Sequence, residues 1–329
     1  MKEQVCNSKR AGKTSLIAKG FQDFCKGPTW QGIKKHKFLY LLTLPAIVAL
    51  IIFSYAPMFG LVIAFQDYVL AEGVAGSEFV GWKNFYDILF NPITVSYKEI
   101  RNTVYISIIR IATNFPTILL FTLLVNEIKC KQAKSTVQAI SYIPYYISWI
   151  AVGGMAYNLF KMDGIFNQVS VALGGEALNW YAEIDYWWWI LALSSLWKGM
   201  GWSTLIYLSA LSAIDTELYD ACEIDGGGRF IKMRSVTIPG IMNVIMLQLI
   251  MDIASVLSDN YDQVMAMINH SNKLHETTSI IGSLEFNALS GTVTKGVATA
   301  YGLLRGGIGL ALVFVTNKIA KNSGNEGIM

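Results

Sequence analysis

Charge is what this 329-residue chain has least of. Only 15% of its residues are Asp, Glu, Lys or Arg and 53% are hydrophobic, whereas an ordinary soluble domain carries about 25% charge. One soluble core cannot absorb that excess, so lipid is the expected solvent. Cysteine is scarce as well. Cys6, Cys25, Cys130 and Cys222 show no CxxC or Cys/His spacing, which argues against a disulfide framework or a zinc site. The three histidines, His36, His270 and His275, fall outside every long apolar run, which leaves no histidine relay within a membrane. There is no phosphate-binding glycine loop, no HExxH and no paired His/Asp cluster in an apolar segment, so a membrane enzyme is disfavoured. No tandem repeat or low-complexity tract is present. The first apolar run starts near residue 38 and is too long for the core of a cleavable signal peptide.

What is present in quantity is apolar sequence in span-sized blocks. A membrane helix needs about 20 mostly apolar residues, because its backbone must satisfy its own hydrogen bonds. Six segments qualify: Phe38–Ala64, Thr103–Val125, Val137–Phe160, Trp187–Leu211, Val236–Leu257 and Thr299–Ile319. The fifth is the weakest, since Asp252 interrupts it. Nine Lys and Arg precede the first span. With the segments 126–135, 212–235 and the tail, one side of the membrane holds seventeen, and the three loops opposite hold six. By the positive-inside rule both termini are cytoplasmic, which demands an even number of spans and agrees with six. The expected organisation is an all-α membrane protein: a basic cytoplasmic segment 1–37, a six-span domain 38–320 and a cytoplasmic tail 321–329. All four cysteines then sit on the reducing side.

Tyr181, Tyr186, Trp187, Trp188 and Trp189 cluster where the fourth span enters from outside, the place for an interfacial aromatic belt. In the N-terminal segment, Leu16, Ile17, Phe21 and Phe24 recur at roughly helical spacing. Two readings stand there: a short helix on the membrane surface, or a disordered basic retention signal.

The most informative loop lies between spans four and five. It runs from Ile214 through Asp215, Glu217, Asp220, Ala221, Cys222 and Asp225 to Gly226, Gly227 and Gly228, and ends at Ile238-Pro239. Asp215 or Thr216 caps a helix and the glycines end it, giving about three turns. Ile214, Leu218, Ala221, Cys222 and Asp225 fall broadly on one face, and Glu217, Asp220 and Ile224 elsewhere. Small residues at the centre permit close docking. Arg229, Lys232 and Arg234 suit lipid headgroups, and Pro239 is expected in the first turn of the next span.

The spacing Asp220-Ala221-Cys222, three residues, Gly226, nine residues, Val236-Thr237-Ile238-Pro239 resembles the EAA loop of binding-protein-dependent ABC importer permeases. That loop reads Glu-Ala-Ala, three residues, Gly, nine residues, Ile-x-Leu-Pro. Asp220 replaces Glu and Cys222 the second Ala, keeping charge and small size. Further segments, Ala56–Phe65, Phe79–Phe85, Arg101-Asn102-Thr103, Ile143–Trp149, Leu196–Trp202, Asp163–Asn167 and Ala300–Leu303, resemble the polysaccharide branch of the maltose-permease-like carbohydrate family. The ending Gly327-Ile328-Met329 lacks the aromatic close of that branch.

The resemblance implies a type I importer permease fold in the bacterial cytoplasmic membrane, a non-catalytic subunit that binds no cofactor itself. It also implies partners: a second permease (in this branch usually a different chain), two ATPases carrying ATP and magnesium, an external binding protein and an oligosaccharide. Nucleic acid is not among them. The loop helix would seat in an ATPase cleft, with Glu217, Asp220, Ala221, Cys222, Asp225, Gly226 and Pro239 as its coupling residues. Counted from that loop, the family's sugar-lining positions fall on Ser195, Gly199 and Trp202, and near Asn260 and Tyr261. Trp202 and Tyr261 offer faces for sugar rings, Ser195 and Asn260 donors and acceptors. Gly199 and Gly201 are expected to serve close helix approach.

Four ionisable residues fall within spans: Arg110, Lys198, Asp252 and Arg305. Each costs about 2.5–3.5 kcal/mol on insertion scales, so each is a functional candidate, with snorkelling or structural ion pairing as the other reading. Three are basic, which would suit an acidic sugar and adds Arg110 and Lys198 to the substrate path. The rivals are a permease of the same architecture for a non-sugar solute, and a secondary transporter, which would need no coupling loop.

Overall fold

The computed structural model describes residues 35–91, 97–257, 261–268, 274–283, 286, 288, 291 and 293–322. Residues 1–34 of the basic N-terminal segment, with the expected surface helix, the last seven residues and Asn260 lie outside them. Two compact units divide the chain at Val62 and Ile63.

The described part of the first unit belongs almost wholly to helix α1, Lys37–Phe65, whose last three residues fall in the second. Its stretch Lys37–Leu50 buries no residue, and Phe38 and Phe53 are at least three-quarters exposed. A helix apolar on all sides has no polar face for water and matches lipid. Pro57 has no N–H for the preceding turn, and the helix adjusts by widening at Ile51–Tyr55, where the Ala56 N–H reaches the Ile51 carbonyl five residues back. The same device recurs before Pro239, with the Ile238 N–H on the Met233 carbonyl. In both places the wider turn absorbs the clash a proline ring makes with the carbonyl four residues back.

The second unit follows in the order β1 (Gln66–Asp67), β2 (Glu78–Phe79), α2 (Lys83–Phe90), α3 (Tyr97–Asn126), α4 (Lys131–Tyr146), α5 (Trp149–Phe160), α6 (Ile165–Ala172), α7 (Trp187–Leu211) and α8 (Thr216–Ile224). Then come α9 (Arg229–Gly240), α10 (Met242–Ala254), α11 (Tyr261–Ile268) and α12 (Lys295–Asn322). The two short strands pair antiparallel, Gln66 opposite Phe79 and Asp67 opposite Glu78.

Among the described residues three helices, α1, α3 and α12, are long and apolar enough to cross a membrane outright, and the bent pair α9 and α10 is a fourth if taken as one span. The expected third span is not one helix. It breaks at Ile147 and Ser148, both extended, just after Pro144, and Ser148 restarts the chain by accepting the Ala151 N–H at 3.2 Å. The fourth, α7, is a continuous helix of 25 residues, but Lys198 and its many Trp, Ser and Gly dilute its apolarity. The fifth bends by 62° at Ile241, and it begins at Arg229, so Pro239 lies inside it rather than in its first turn.

Glycine sets two close approaches. A methyl at Gly201 of α7 would strike the Ser141 carbonyl of α4, and one at Gly153 of α5 the Ala266 carbonyl of α11. Helix α3 is the polar spine. Its Asn102 donates to the Ser279 carbonyl at 3.1 Å, its Thr103 accepts the Ile281 N–H at 3.0 Å, and its Ser107 donates to the Val256 carbonyl at 2.6 Å. These bonds satisfy backbone groups that a non-helical stretch would otherwise leave open in an apolar surround. The aromatic cluster before α7 is only partly a belt. Trp189 and Tyr186 are about half exposed, but Trp187 is fully buried in the core with its indole N–H on the Trp180 carbonyl at 2.8 Å.

Candidate functional site

Two sites emerge, one local and one assembled. The local one is α8. Asp215 caps it by accepting the Glu217 N–H at 3.0 Å. At the other end the Gly227 N–H reaches the Cys222 carbonyl at 2.8 Å and the Gly226 N–H the Glu223 carbonyl at 3.0 Å, the paired closure of a Schellman motif. Gly226 holds φ at +80°, a conformation that costs any residue with a Cβ.

Helix α8 leans on the chain through Tyr219 and Cys222, the two residues of the helix that are partly buried. Tyr219 Oη lies 3.2 Å from Thr237 Oγ1 on α9. Leu218 and Ala221 are exposed along with Glu217, Asp220 and Ile224, while Cys222 is half-buried beside Gly227. Asp225 and Gly226 are exposed at the helix end, and Pro239 is exposed on α9. At the surface Lys232 Nζ donates to Glu223 Oε2 at 2.5 Å. That hydrogen bond and charge hold the Glu223 carboxyl below the usual carboxylate range.

The assembled site is a cavity of about 290 Å³ between α3, α7 and α10. Its walls are rows at four-residue spacing, the spacing that aligns side chains along one helix face. From α7 come Ser195, Gly199, Ser203 and Tyr207; from α3, Arg110, Asn114 and Ile118; from α10, Gln248 and Asp252. Over twelve residues the α7 row rises about 18 Å. Asn114 Nδ2 donates to Ser195 Oγ at 3.4 Å, Arg110 reaches the Ser255 carbonyl at 3.4 Å, and Gln248 Nε2 donates to Asp252 Oδ1 at 3.3 Å. Hydroxyls, amides and one ion of each sign therefore face a single space.

The expected substrate-path residues divide. Ser195, Gly199 and Arg110 line the cavity, and Gly199 borders open space rather than a neighbouring helix. Lys198 points away. It donates to the Pro144 and Tyr145 carbonyls at 3.3 and 2.6 Å, with its ammonium 5.4 Å from the Trp149 ring. A cation on the last carbonyls of α4 is favourable by charge and by hydrogen bonding, so Lys198 closes the broken end of that helix. Trp202 lies flat on Tyr145, centroids 4.8 Å apart and planes 7° from parallel. Tyr261 packs against Phe286 at 5.7 Å. Arg305 lies 5.9 Å over the Tyr301 ring. The net positive cavity suggested by three basic residues is thus a lining with one cation, Arg110, and one carboxylate, Asp252. Asn114, Ser203, Tyr207 and Gln248 escaped the sequence reading, although the Ser195-Gly199-Ser203-Tyr207 period was there to find.

A capped helix carrying the EAA spacing, joined to a bent span and preceded by a polar intramembrane cavity, has clear relatives. The family model described as "Binding-protein-dependent transport system inner membrane component" matches residues 88–260. The chain belongs to that permease family. It is a non-catalytic, multi-pass inner-membrane component. The permease is 35% identical over 295 residues, 89% of this chain and 91% of the other, to the polygalacturonan/rhamnogalacturonan transport system permease protein YteP of Bacillus subtilis (strain 168). It is 34% identical to protein LplB of the same organism, over 92% of this chain and 95% of that one. Among solved structures it resembles a bacterial alginate ABC transporter in complex with an alginate pentasaccharide-bound periplasmic protein. The TM-score is 0.79 at 25% identity, over 92% of this chain and 100% of the other. The permease is thus mostly helical in the manner of ABC importer permeases, and the importer's ATPases are implied by the family.

Proposed function

We propose that the permease is one half of a type I importer with six spans and cytoplasmic termini, taking up polysaccharide-derived oligosaccharides, acidic ones included, by alternating access. In this reading α1, α3, the broken α4–α5, α7, the bent α9–α10 and α12 are the six spans. Residues 1–37 and 321–329 are cytoplasmic, and 38–320 form the transmembrane domain. The reading is supported by the seventeen-to-six charge asymmetry and by even span number. Relatives named for polygalacturonan and alginate transport support the cargo, as does a cavity lined by hydroxyls, amides and the Arg110 guanidinium.

The observation that carries the coupling role is the exposed outer face of α8, whose Glu217, Asp220 and Ala221 stand clear of the chain while Tyr219 ties the helix to α9. Seated in an ATPase cleft, α8 would pass a rigid-body displacement to α9 and across the bend to α10, which walls the cavity. ATP and magnesium act on the ATPase subunits; this subunit binds and releases solute. Ser195, Gly199 and Arg110 are the substrate contacts, with Trp202, Lys198 and Tyr261 supporting the helix frame, and Asn260 kept as a contact from the family spacing. A second permease and an external binding protein complete the complex.

The test is ATPase activity of the reconstituted complex with its binding protein. Oligosaccharides, uronate-containing ones in particular, are expected to stimulate it. Stimulation only by amino acids, peptides or phosphate would sink the cargo assignment and favour a non-sugar permease of the same architecture.

A further inference from the structure

Tyr207 is 1% exposed, it lines the cavity, and its hydroxyl finds no hydrogen-bond partner among the described residues. Burying an unsatisfied hydroxyl is costly, so its persistence calls for a reason. It is the last member of the polar row on α7, four residues from the helix end that leads to α8. Its ring joins an apolar cluster with Ile118, Leu211, Ile241 and Ile245. On α10, Gln248 and Asp252 face the same space, joined by their 3.3 Å hydrogen bond. The hydroxyl is therefore the last polar group before an apolar plug, with a carboxyl and an amide nearby.

We infer that Tyr207, Gln248 and Asp252 form a hydroxyl-reading subsite at the α8 end of the cavity, which holds the leading unit of a hydroxyl-rich solute. The inference rests on the oligosaccharide reading and adds residues that reading does not use. A sugar hydroxyl both donates and accepts, and it finds here a phenol donor, a carboxyl acceptor and an amide that does both. A ligand hydroxyl satisfies the orphaned phenol without rebuilding the wall. Engagement of this end places the sugar against Ile118, Leu211 and Ile241, the apolar residues that must part for release toward the cytoplasm.

Tyr207→Phe tests this because it removes one oxygen and keeps the ring. In the assembled complex with its binding protein, stimulation of ATPase by an oligogalacturonate and by a neutral oligosaccharide of equal length is titrated alongside the melting temperature. The expected result is a KM about tenfold higher for both sugars, the worth of one hydrogen bond. The melting temperature is expected to be unchanged or raised, since no intramolecular bond is lost. Asp252→Asn is expected to raise KM in the same direction. An unchanged KM in Tyr207→Phe while both sugars stimulate the unaltered complex overturns the subsite alone. So does a lowered melting temperature with unchanged KM, which would mean the phenol serves packing. If neither sugar stimulates the unaltered complex and a hydroxyl-free solute does, the oligosaccharide reading and the subsite fall together.

Discussion

Helix α8 and the α3–α7–α10 cavity solve opposite problems. Helix α8 is made by its own residues: Asp215 begins it, Gly226 and Gly227 end it, and a few contacts to the next helix, Tyr219 to Thr237 and Glu223 to Lys232, attach it. The cavity has no residues of its own. Each wall belongs to a helix whose place is set by distant partners, such as Asn102 on the Ser279 carbonyl and Lys198 on the end of α4. A local device stays folded while its outer face is left open to a partner. An assembled one can hold polar groups in an apolar surround only because packing fixes them.

The comparison breaks most severely at Gly201. Gly201→Leu drives a side chain into the Ser141 carbonyl and Tyr142, and α7 must leave α4. Loss of about 3 kcal/mol, seen as failure to purify a monodisperse complex, is expected. A stable, active Gly201→Leu complex would contradict the close approach. Next is Asp220→Lys on the exposed face of α8. Sugar-stimulated ATPase is expected to fall at least about tenfold, since reversing a charge at an interface adds repulsion, while the melting temperature of the isolated permease stays put. If stability fell with activity, Asp220 would belong to the fold and not to coupling.

Lys198→Met separates the two regions differently. It leaves the Pro144 and Tyr145 carbonyls short of a charged donor, at a cost of about 1–2 kcal/mol in thermal stability, with sugar KM little changed. A selective loss for acidic sugars would return Lys198 to the substrate path. Gly226→Ala forces φ of +80° on a residue with a Cβ, costing about 1 kcal/mol. Hydrogen exchange of α8 is expected to rise while exchange in α7 does not.

The smallest effect concerns Glu223 and Lys232. The Glu223 pKa is depressed, so its contribution is present above the ordinary carboxylate range and is lost as pH falls through the depressed value. Both groups are at the surface, where salt screens them. Glu223→Gln should remove a slight, salt-sensitive acid dependence of α8 exchange and little else; a large loss of activity would mean that the pair faces the ATPase.

Reading the sequence found α8 nearly residue by residue, because caps and glycine closures act within a turn or two. Which of its residues are covered was not legible there: Tyr219 and Cys222 are half-buried, while Leu218 and Ala221 are exposed. The orientation of a two-and-a-half-turn helix depends on what it touches, here Thr237. Of the residues expected along the substrate path, Ser195, Gly199 and Arg110 line the cavity, whereas Trp202 and Lys198 lie against the end of α4. Those two lie on α7 one turn or less from the cavity row, and only the position of α4 decides that they face Tyr145 instead.

What the sequence determined by itself is therefore whatever follows from solvent and short range. Scarce charge and long apolar blocks demand lipid, since an unsatisfied backbone in a bilayer leaves few alternatives, and the α8 loop carries its own start and stop. Tertiary structure alone decided that the expected third span breaks after Pro144 and is closed by Lys198, that Trp187 is core, and that Gly199 opens on space while Gly201 is pressed against a carbonyl. It alone brought Tyr207, Gln248 and Asp252 to one wall. Those outcomes depend on which helix comes to lie beside which, and that is fixed by hydrogen bonds and close contacts between residues as far apart as Thr103 and Ile281.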